Sequence, residues 1–520
     1  MIPTRTLARA VTNALEMLRA QDELMEVEVF AAANTSLVAR LHFTSHIPCN
    51  GVEEPKSIES IGLGIQAVFR GPDGPRIGFG SEPNDLGPEG VGRALAKARH
   101  AAVADPEFVG LPRPTDERRR LWRYHDPALL RLSDDDLVQA GWKEIMRGLE
   151  VFSNSPELAR VAGSANAIPS LGLILSGDVT ILQERMAIGS THLAEVQTDE
   201  STLRLSSLTA MVEAADAKGS GWSTGTRLAD FAGDAGAEAA ANAIRAMGGV
   251  RAESGHYRVI FGHQPVADLL GNLVLPCLSL GSLYAESSAF QGRLGRRVAS
   301  PLLSLTDHGA LRGATASKGI TCEGLATGKT RLIQRGKLVG LLANFYEQQR
   351  ILKDPQATVK LGRDPRQFPK ALVPRNGFRF GEGGGRRFEG PPGISATNII
   401  LESSQPVSHD ELLAKVGDGL YIGRIWYTYP INGLRAGDFT CTVVGDSFLI
   451  KDGQLASPLR ANAIRINDNI QRVLRAIQGI TADRRETAMW AADEVVHAPE
   501  IAVEGIRVDA IAEPRGPSIG

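Results

Sequence analysis

The chain has 520 residues, 43% of them apolar and 22% charged, with a formal net charge of -2. That length leaves room for two to four domains with full cores, and the composition is that of an ordinary globular protein. The charge balance argues against nucleic acid as a partner, because a sequence-independent grip on phosphates needs a basic face.

The first predicted element is a helix within 1–21, where Leu7, Val11, Leu15 and Leu18 recur at helical spacing. It has no continuous apolar core, so it does not read as a signal peptide. Val27 and Val29, then Leu37, Ala39, Leu41 and Phe43, alternate as strands do. Ile61, Leu63, Ile65, Ala67 and Phe69 repeat the pattern before a hairpin turn at 71–75. A helix is predicted from Gly87 to about Ala104, and another from Ser133 to Phe152, opened by the capping pair Ser133 and Asp136. Short alternating segments fill 157–215, and an alanine-rich helix follows from about Asp234 to Met247.

Gly248 and Gly249 stop that helix and set the expected domain boundary. The boundary divides the chain into 1–249, of helices and alternating strands, and 250–520, where strands and turns prevail. The apolar run 265–280 is interrupted by Asp268 and Asn272 and is too short to cross a bilayer comfortably, so no membrane partner is expected. The segment 353–392, rich in arginine, glycine and proline, reads as a long surface loop. Its basic residues, including Arg363, Arg366, Lys370, Arg375, Arg379, Arg386 and Arg387, are interleaved with phenylalanines. A solvated loop is one reading, and a flap contacting a peptide or a partner subunit is the other. Four widely spaced cysteines, Cys49, Cys277, Cys322 and Cys441, fit a reducing compartment, with the cytoplasm as the default.

Three local motifs suggest chemistry that their context does not support. The stretch from Gly324 to Thr330 is one residue short of a phosphate loop and meets Gly336 too soon for a long helix to hold the charge, so it reads as a hairpin. Gly221, Ser223 and Gly225 spell a nucleophile elbow, with His256 and Asp234 as nominal partners, but no helix starts directly after them. Gly62, Gly64 and Ala67 fall within an alternating strand instead of between a strand and a helix. His42, His46 and Cys49 are the only cluster of soft ligands. On an extended chain the two histidines stand about 13 Å apart and cannot share an ion.

Tyr257 to Phe261, Val266 to Leu270, Ser287 to Gly295, Glu323 with Gly324, and Ile333 to Leu338 resemble the TldD/PmbA family of metallopeptidases. So do Ala396 to Leu401, Gly419 to Tyr421, and Gly437 to Phe439. Active TldD-type members carry His-Glu-x-x-x-His where this chain has Gly271, Asn272, Leu273, Val274, Leu275 and Pro276. The resemblance puts Gly271 and Pro276 at the histidine positions and Asn272 at the glutamate. A third ligand, a cysteine near the C-terminus, corresponds to the run Met489, Trp490, Ala491 and Ala492.

Hydrolytic zinc needs about three donor side chains and a general base. Glycine and proline offer no donor, and asparagine takes no proton near neutral pH. The resemblance therefore implies a PmbA (TldE)-like, non-catalytic member, inactive alone, with no metal or cofactor of its own and zinc in a TldD-like partner. Flexible or unfolded peptides would be its substrates, in maturation or degradation. Ser288, Phe290, Glu323, Gly324, Arg386, Arg387 and Asn398 are the implied contacts with peptide or partner. The two histidine positions lie five apart, about 140° round an ideal helix, so a local distortion is expected there, with Pro276 marking it. An independent hydrolase using other residues, or a peptide-binding homo-oligomer, are the alternatives.

Overall fold

The computed structural model describes residues 2–47, 51–53, 55–72, 74–230, 232–380, 385–488 and 494–512. The first half is built on seven strands: β1 (Leu24–Thr44), β2 (Lys56–Gly71), β3 (Gly74–Pro83), β4 (Val103–Ala104), β5 (Leu173–Ser190), β6 (Gln197–Val212) and β7 (Ala217–Gly225). They form one antiparallel sheet in the order β4-β3-β2-β1-β5-β6-β7.

Strand β1 is buried on both faces. Val27, Val29, Ala31 and Ala33 pack on Leu7, Val11 and Leu18 of the helix Thr4–Arg19 and on Val91 and Ala94 of the helix Pro88–His100. Farther along the same face, Leu37, Ala39 and Leu41 meet the helices Asp134–Ser153 and Asp234–Arg245. On the opposite face Phe30 and Ala32 lie against Ile320, Cys322, Phe378 and Phe388 from the second half. That double burial explains the unbroken small and apolar run from Val29 to Ala33 where a half-exposed strand would alternate.

The predicted capping pair acts at its helix start. Ser133 and Asp136 form a full capping box, each side chain accepting from the other's backbone N–H at 3.1 Å. The second helix ends at His100 instead of Ala104, because Val103 and Ala104 leave it to pair with Ile77 and Arg76 as β4.

The second half contains β8 (Gly255–Phe261), β9 (Leu303–His308), β10 (Lys329–Gln334), β11 (Lys337–Leu338), β12 (Gly377–Phe378), β13 (Gly393–Ile394), β14 (Asn398–Ser403) and β15 (Gly419–Ile422). It continues with β16 (Arg424–Pro430), β17 (Asp438–Gly445), β18 (Phe448–Lys451), β19 (Gln454–Pro458), β20 (Ile464–Asn469), β21 (Ile477–Ile480), β22 (Arg485–Ala488), β23 (Val495–Ala498) and β24 (Ile501–Ala510). One sheet runs β11-β10-β9-β14-β23-β22. The other, nine-stranded, runs β16-β17-β20-β24-β8-β15-β18-β19 with β21 on β24, and curls into a half-barrel. The main core of this half draws on residues from Ala252 to Val508. The architecture is α+β, as the family resemblance implied in its expectation of an N-terminal domain, 1–249, with a mixed or antiparallel sheet wrapped around helices, and a β-rich, barrel-like C-terminal domain, 250–520.

The segment 353–392 departs from its reading as a solvated loop. It holds a short helix, Ala357–Leu361, and the strand β12, which pairs with β13 just beyond it, and it buries Phe378, Arg379, Arg386 and Phe388. Arg379 pairs with Glu28 of β1, and Arg386 with Asp199 of β6 at 2.7 Å. Part of its basic charge therefore neutralises buried carboxylates of the first half, since a buried charge without a partner is costly. Arg363, Arg366, Lys370 and Arg387 do remain exposed.

Cys277, Cys322 and Cys441 are buried free thiols, and Cys49 lies outside the described residues. Among the described residues no helix is long and apolar enough to cross a membrane.

Candidate functional site

After β8 the chain turns at Gly262 into the helix His263–Leu269, which continues without a break into a π-helical turn, Leu270–Val274. The backbone N–H of Leu275 donates to the carbonyl of Leu270 at 2.8 Å, five residues back. The expected distortion is present. A wider turn brings positions five apart, such as Gly271 and Pro276, toward one side of the helix, and Pro276 suits the exit because it has no N–H to place in the ladder. Leu273, Val274 and Leu275 are buried, Asn272 is exposed, and Gly271 and Pro276 are half-buried.

A row of polar side chains one turn apart supports this face. Asn272 Nδ2 donates to Asp268 Oδ1 at 3.0 Å and to the Asp268 carbonyl at 3.1 Å. Gln264 Nε2 donates to Asp268 Oδ2 at 3.2 Å. Gln264 also reads the backbone of β16: its Oε1 accepts from Ile425 N at 2.9 Å, and its Nε2 donates to Ile425 O at 3.2 Å. Burial raises the Asp268 carboxyl above its ordinary range, opposed by the nearby Thr428 hydroxyl, by hydrogen bonds from Asn272 and Gln264 and by the charge of Arg424.

Thr428 reaches inward because β16 is irregular there. Its register with β17 breaks between Trp426 and Tyr429, and Tyr427 adopts a φ of 56°. This conformation is uncommon for a bulky residue. It leaves Tyr427, Tyr429 and Ile431 exposed, with the two tyrosine rings 6.3 Å apart. In the nine-stranded sheet β16 is an edge strand, paired with β17.

Residues 254–510 match the PmbA/TldA metallopeptidase C-terminal domain. The second half of the chain is a PmbA/TldD-family domain. A metalloprotease of Synechocystis sp. is 27% identical over 191 residues, 36% of this chain and 34% of that protein, so the match spans about a third of the curated relative. The crystal structure of TldE from Thermococcus kodakarensis superimposes with a TM-score of 0.73 at 16% identity, covering 98% of this chain and 100% of that one. A Bacteroides thetaiotaomicron protein provisionally called a modulator of DNA gyrase gives a TM-score of 0.71 at 16% identity, covering 98% and 99%. At such identities the structural likeness concerns the fold.

Zinc, the metal that the PmbA/TldD resemblance implies, does not fit the side chains of the π turn. Gly271 and Pro276 have no donor, and the Asn272 amide is engaged by Asp268. Among the described residues no group of three His, Cys, Asp or Glu side chains is placed to hold a metal ion. The run 489–492, assigned to the third ligand position, lies outside the described residues.

Most of the residues read as peptide-cleft or partner contacts lie in the interior. Ser288 is buried, donating to the Cys277 carbonyl at 2.6 Å and accepting from Phe290 N at 2.9 Å, and Phe290 is core. Asn398 joins β14 to the neighbouring chain by donating to His308 O and Ser317 Oγ, both at 3.0 Å. Arg386 belongs to a buried cluster with Asp199, Ser201 and Tyr124, beside the ion pair of Lys318 and Glu184. Gly324 sits at φ 73° in the turn after Glu323, closed by Thr321 N donating to Leu325 O at 2.8 Å. Arg387 alone of the set is exposed.

Glu323 lines a cavity of about 500 Å³ between the two halves, together with Gln66, Phe108, Asn344 and Phe345. Burial pushes its carboxyl up to about 8, against the pull of the Phe345 N–H, which it accepts at 3.0 Å. The group is thus largely protonated at neutral pH and available as a donor.

The remaining motifs are structural. Ser223 lies within β7 opposite Ser206 and accepts from Arg204 Nη1 at 3.0 Å, with no strand-to-helix turn to form an elbow. His42 is on β1, while His46 pairs with Glu213 at 2.9 Å. His263 bonds the Ala498 carbonyl at 2.7 Å. Gly62, Gly64 and Ala67 are in β2. Sequence reading treated Asp268 only as an interruption of an apolar run, although an acid at that place was the available sign of a polar support beneath Asn272.

Proposed function

We propose that this chain is the non-catalytic subunit of a two-component metallopeptidase, pairing with a zinc-bearing TldD-like chain and helping to hold an extended peptide. The observation that carries the reading is the π turn, which keeps a distorted helix where the family's zinc motif falls while presenting Gly271, Asn272 and Pro276 there. With no base on that turn, the chain's own part is binding and positioning. The exposed strip of Tyr427 and Tyr429 on the edge strand β16, with Ile431 just after it, supports a partner contact beside the same helix, since aromatic side chains concentrate at interfaces. Strand addition at a free sheet edge would hold the peptide through its backbone, favouring flexible or unfolded chains, in maturation or degradation. Three buried free thiols are compatible with a cytoplasmic setting.

The test is co-expression with a relative that keeps His-Glu-x-x-x-His, followed by size-exclusion chromatography with metal analysis and a peptidase assay. A stable mixed complex, with zinc following the partner and activity only in the mixture, is the expected result. Stoichiometric zinc on the isolated chain, or peptide hydrolysis by it alone, overturns the proposal.

A further inference from the structure

Strand β10 turns Lys329 and Arg331 to its outer face, where the pattern of burial alternates, and both are exposed. The turns Pro365–Gln367 and Pro369–Ala371 lie over that face, held by Leu341 N donating to Ala371 O at 2.9 Å and by Arg375 Nη1 donating to Lys329 O at 2.7 Å. Between them is a cavity of about 710 Å³, lined by Lys329, Arg331, Lys370 and Arg375 with Phe368 and Val373 among its apolar residues. Such a volume is that of a ligand pocket.

The charges are unbalanced. Four cations face one carboxylate, Glu117, and that group is taken by Arg375 at 2.6 Å. Among the described residues, Lys329, Arg331 and Lys370 make no salt bridge. The positive field reaches inward: after burial, the charges of Lys329, Arg120 and Arg375 hold the neighbouring His308 below its usual range. A cleft of one sign with low-dielectric walls concentrates ligands of the other sign.

We propose that this cavity binds acidic peptide segments in which carboxylate side chains alternate with apolar ones. The inference rests on the peptide-holding reading above and adds the class of peptide. Lysine and arginine side chains take carboxylate and phosphate alike, and the apolar floor containing Phe368 and Val373 favours a peptide in which the anionic groups stand beside apolar side chains over a free inorganic anion. Lys329 and Arg331, two residues apart on one strand, stand about 7 Å from each other, which is also the spacing of alternate side chains on an extended peptide.

The experiment uses the full chain alone and a fluorescein-labelled, C-terminally amidated peptide of alternating glutamate and leucine, read by fluorescence anisotropy. A glutamine version, amidated or with a free C-terminus, is the comparison. The glutamate peptide is expected to bind at least about tenfold more tightly than either glutamine peptide, and to weaken steeply at high salt. The variant Arg331→Glu/Lys370→Glu, altered at two exposed positions, should lose that preference. Lys451→Glu, exposed at the end of β18, should keep it. Equal binding of amidated glutamate and glutamine peptides overturns the inference while leaving the peptide-holding reading intact. Equal binding of the free-terminus glutamine peptide also overturns it, by moving recognition to the terminal carboxylate. Acidic-peptide binding that persists in the double variant, or no binding of any peptide, overturns it as well, whereas the two-subunit reading is judged separately by co-purification and zinc content.

Discussion

Asn272 leans back one helical turn and gives its amide hydrogens to Asp268, at 3.0 Å to the carboxylate and 3.1 Å to the carbonyl. Its side chain is committed to supporting a buried acid. Asn272→Ala should therefore destabilise by about 1 kcal/mol, the typical net value of one such bond. Asn272→Glu should cost more, because a second carboxylate would stand one turn from Asp268, whose carboxyl burial already raises. Urea denaturation of the two variants checks the order, and a more stable glutamate variant would contradict it.

Glu323 should make stability depend on pH. Its folded carboxyl titrates near 8, above the ordinary value of 4.5, so between those values the native state holds a proton that the unfolded chain releases. The associated stability is full below the unfolded value and is lost as pH rises through about 8, an effect on the order of a few kcal/mol. Glu323→Gln, which keeps an acceptor for Phe345 N–H, should flatten the fall in melting temperature between pH 6 and 9. Identical profiles for both proteins would show that another group sets the dependence.

The arginines of the 353–392 segment should separate sharply by burial. Arg386 is wholly buried and donates to Asp199 and Ser201, so Arg386→Met should cost about 3 kcal/mol by stripping those bonds from a buried cluster, even though Arg119 still pairs with Asp199 and Lys318 with Glu184. Arg387→Ala, at the exposed neighbour, should cost under about 1 kcal/mol. Comparable losses for the two in denaturant titrations would refute the assignment of internal neutralisation.

His409 Nδ1 lies 2.6 Å from Glu500, which also accepts from Tyr421 at 2.8 Å. The hydrogen bond to Glu500 holds His409 above its ordinary range. Glu500 lies below its own, since the bonds and charge it receives, led by His409, outweigh its burial. Two limbs follow. The histidine's contribution is lost as pH rises through its folded value above 6.5, and the glutamate's as pH falls through its folded value below 4.5. An NMR titration should place His409 above 6.5 in the wild type and lower it in Glu500→Gln, and an unshifted His409 would break the link.

Strands and helices with their own periodic signal were legible: the alternation of Ile61 to Phe69 and the capping box of Ser133 and Asp136 both act locally. The burial of Arg379 and Arg386 was not, because they answer to Glu28 and Asp199, partners more than a hundred residues away that no local pattern announces. Burial of Ser288 and Asn398 was hidden for the same reason, since small polar residues look alike in a surface cleft and in a satisfied interior network.

What the sequence by itself determined is the chemistry unavailable on the π turn: Gly271 and Pro276 have no donor to offer a metal and Asn272 has no base, whatever surrounds them. The family resemblance added the kink, from the five-residue spacing of the histidine positions, which an ordinary helix does not bring onto one face. Only the tertiary structure decided that Asn272 serves Asp268, that Tyr427 and Tyr429 stand exposed beside it, and that Lys329, Arg331 and Lys370 converge on one cavity. Hydrogen bonding and electrostatic fields depend on distances between groups remote in the chain, and those distances exist only once the sheets have closed.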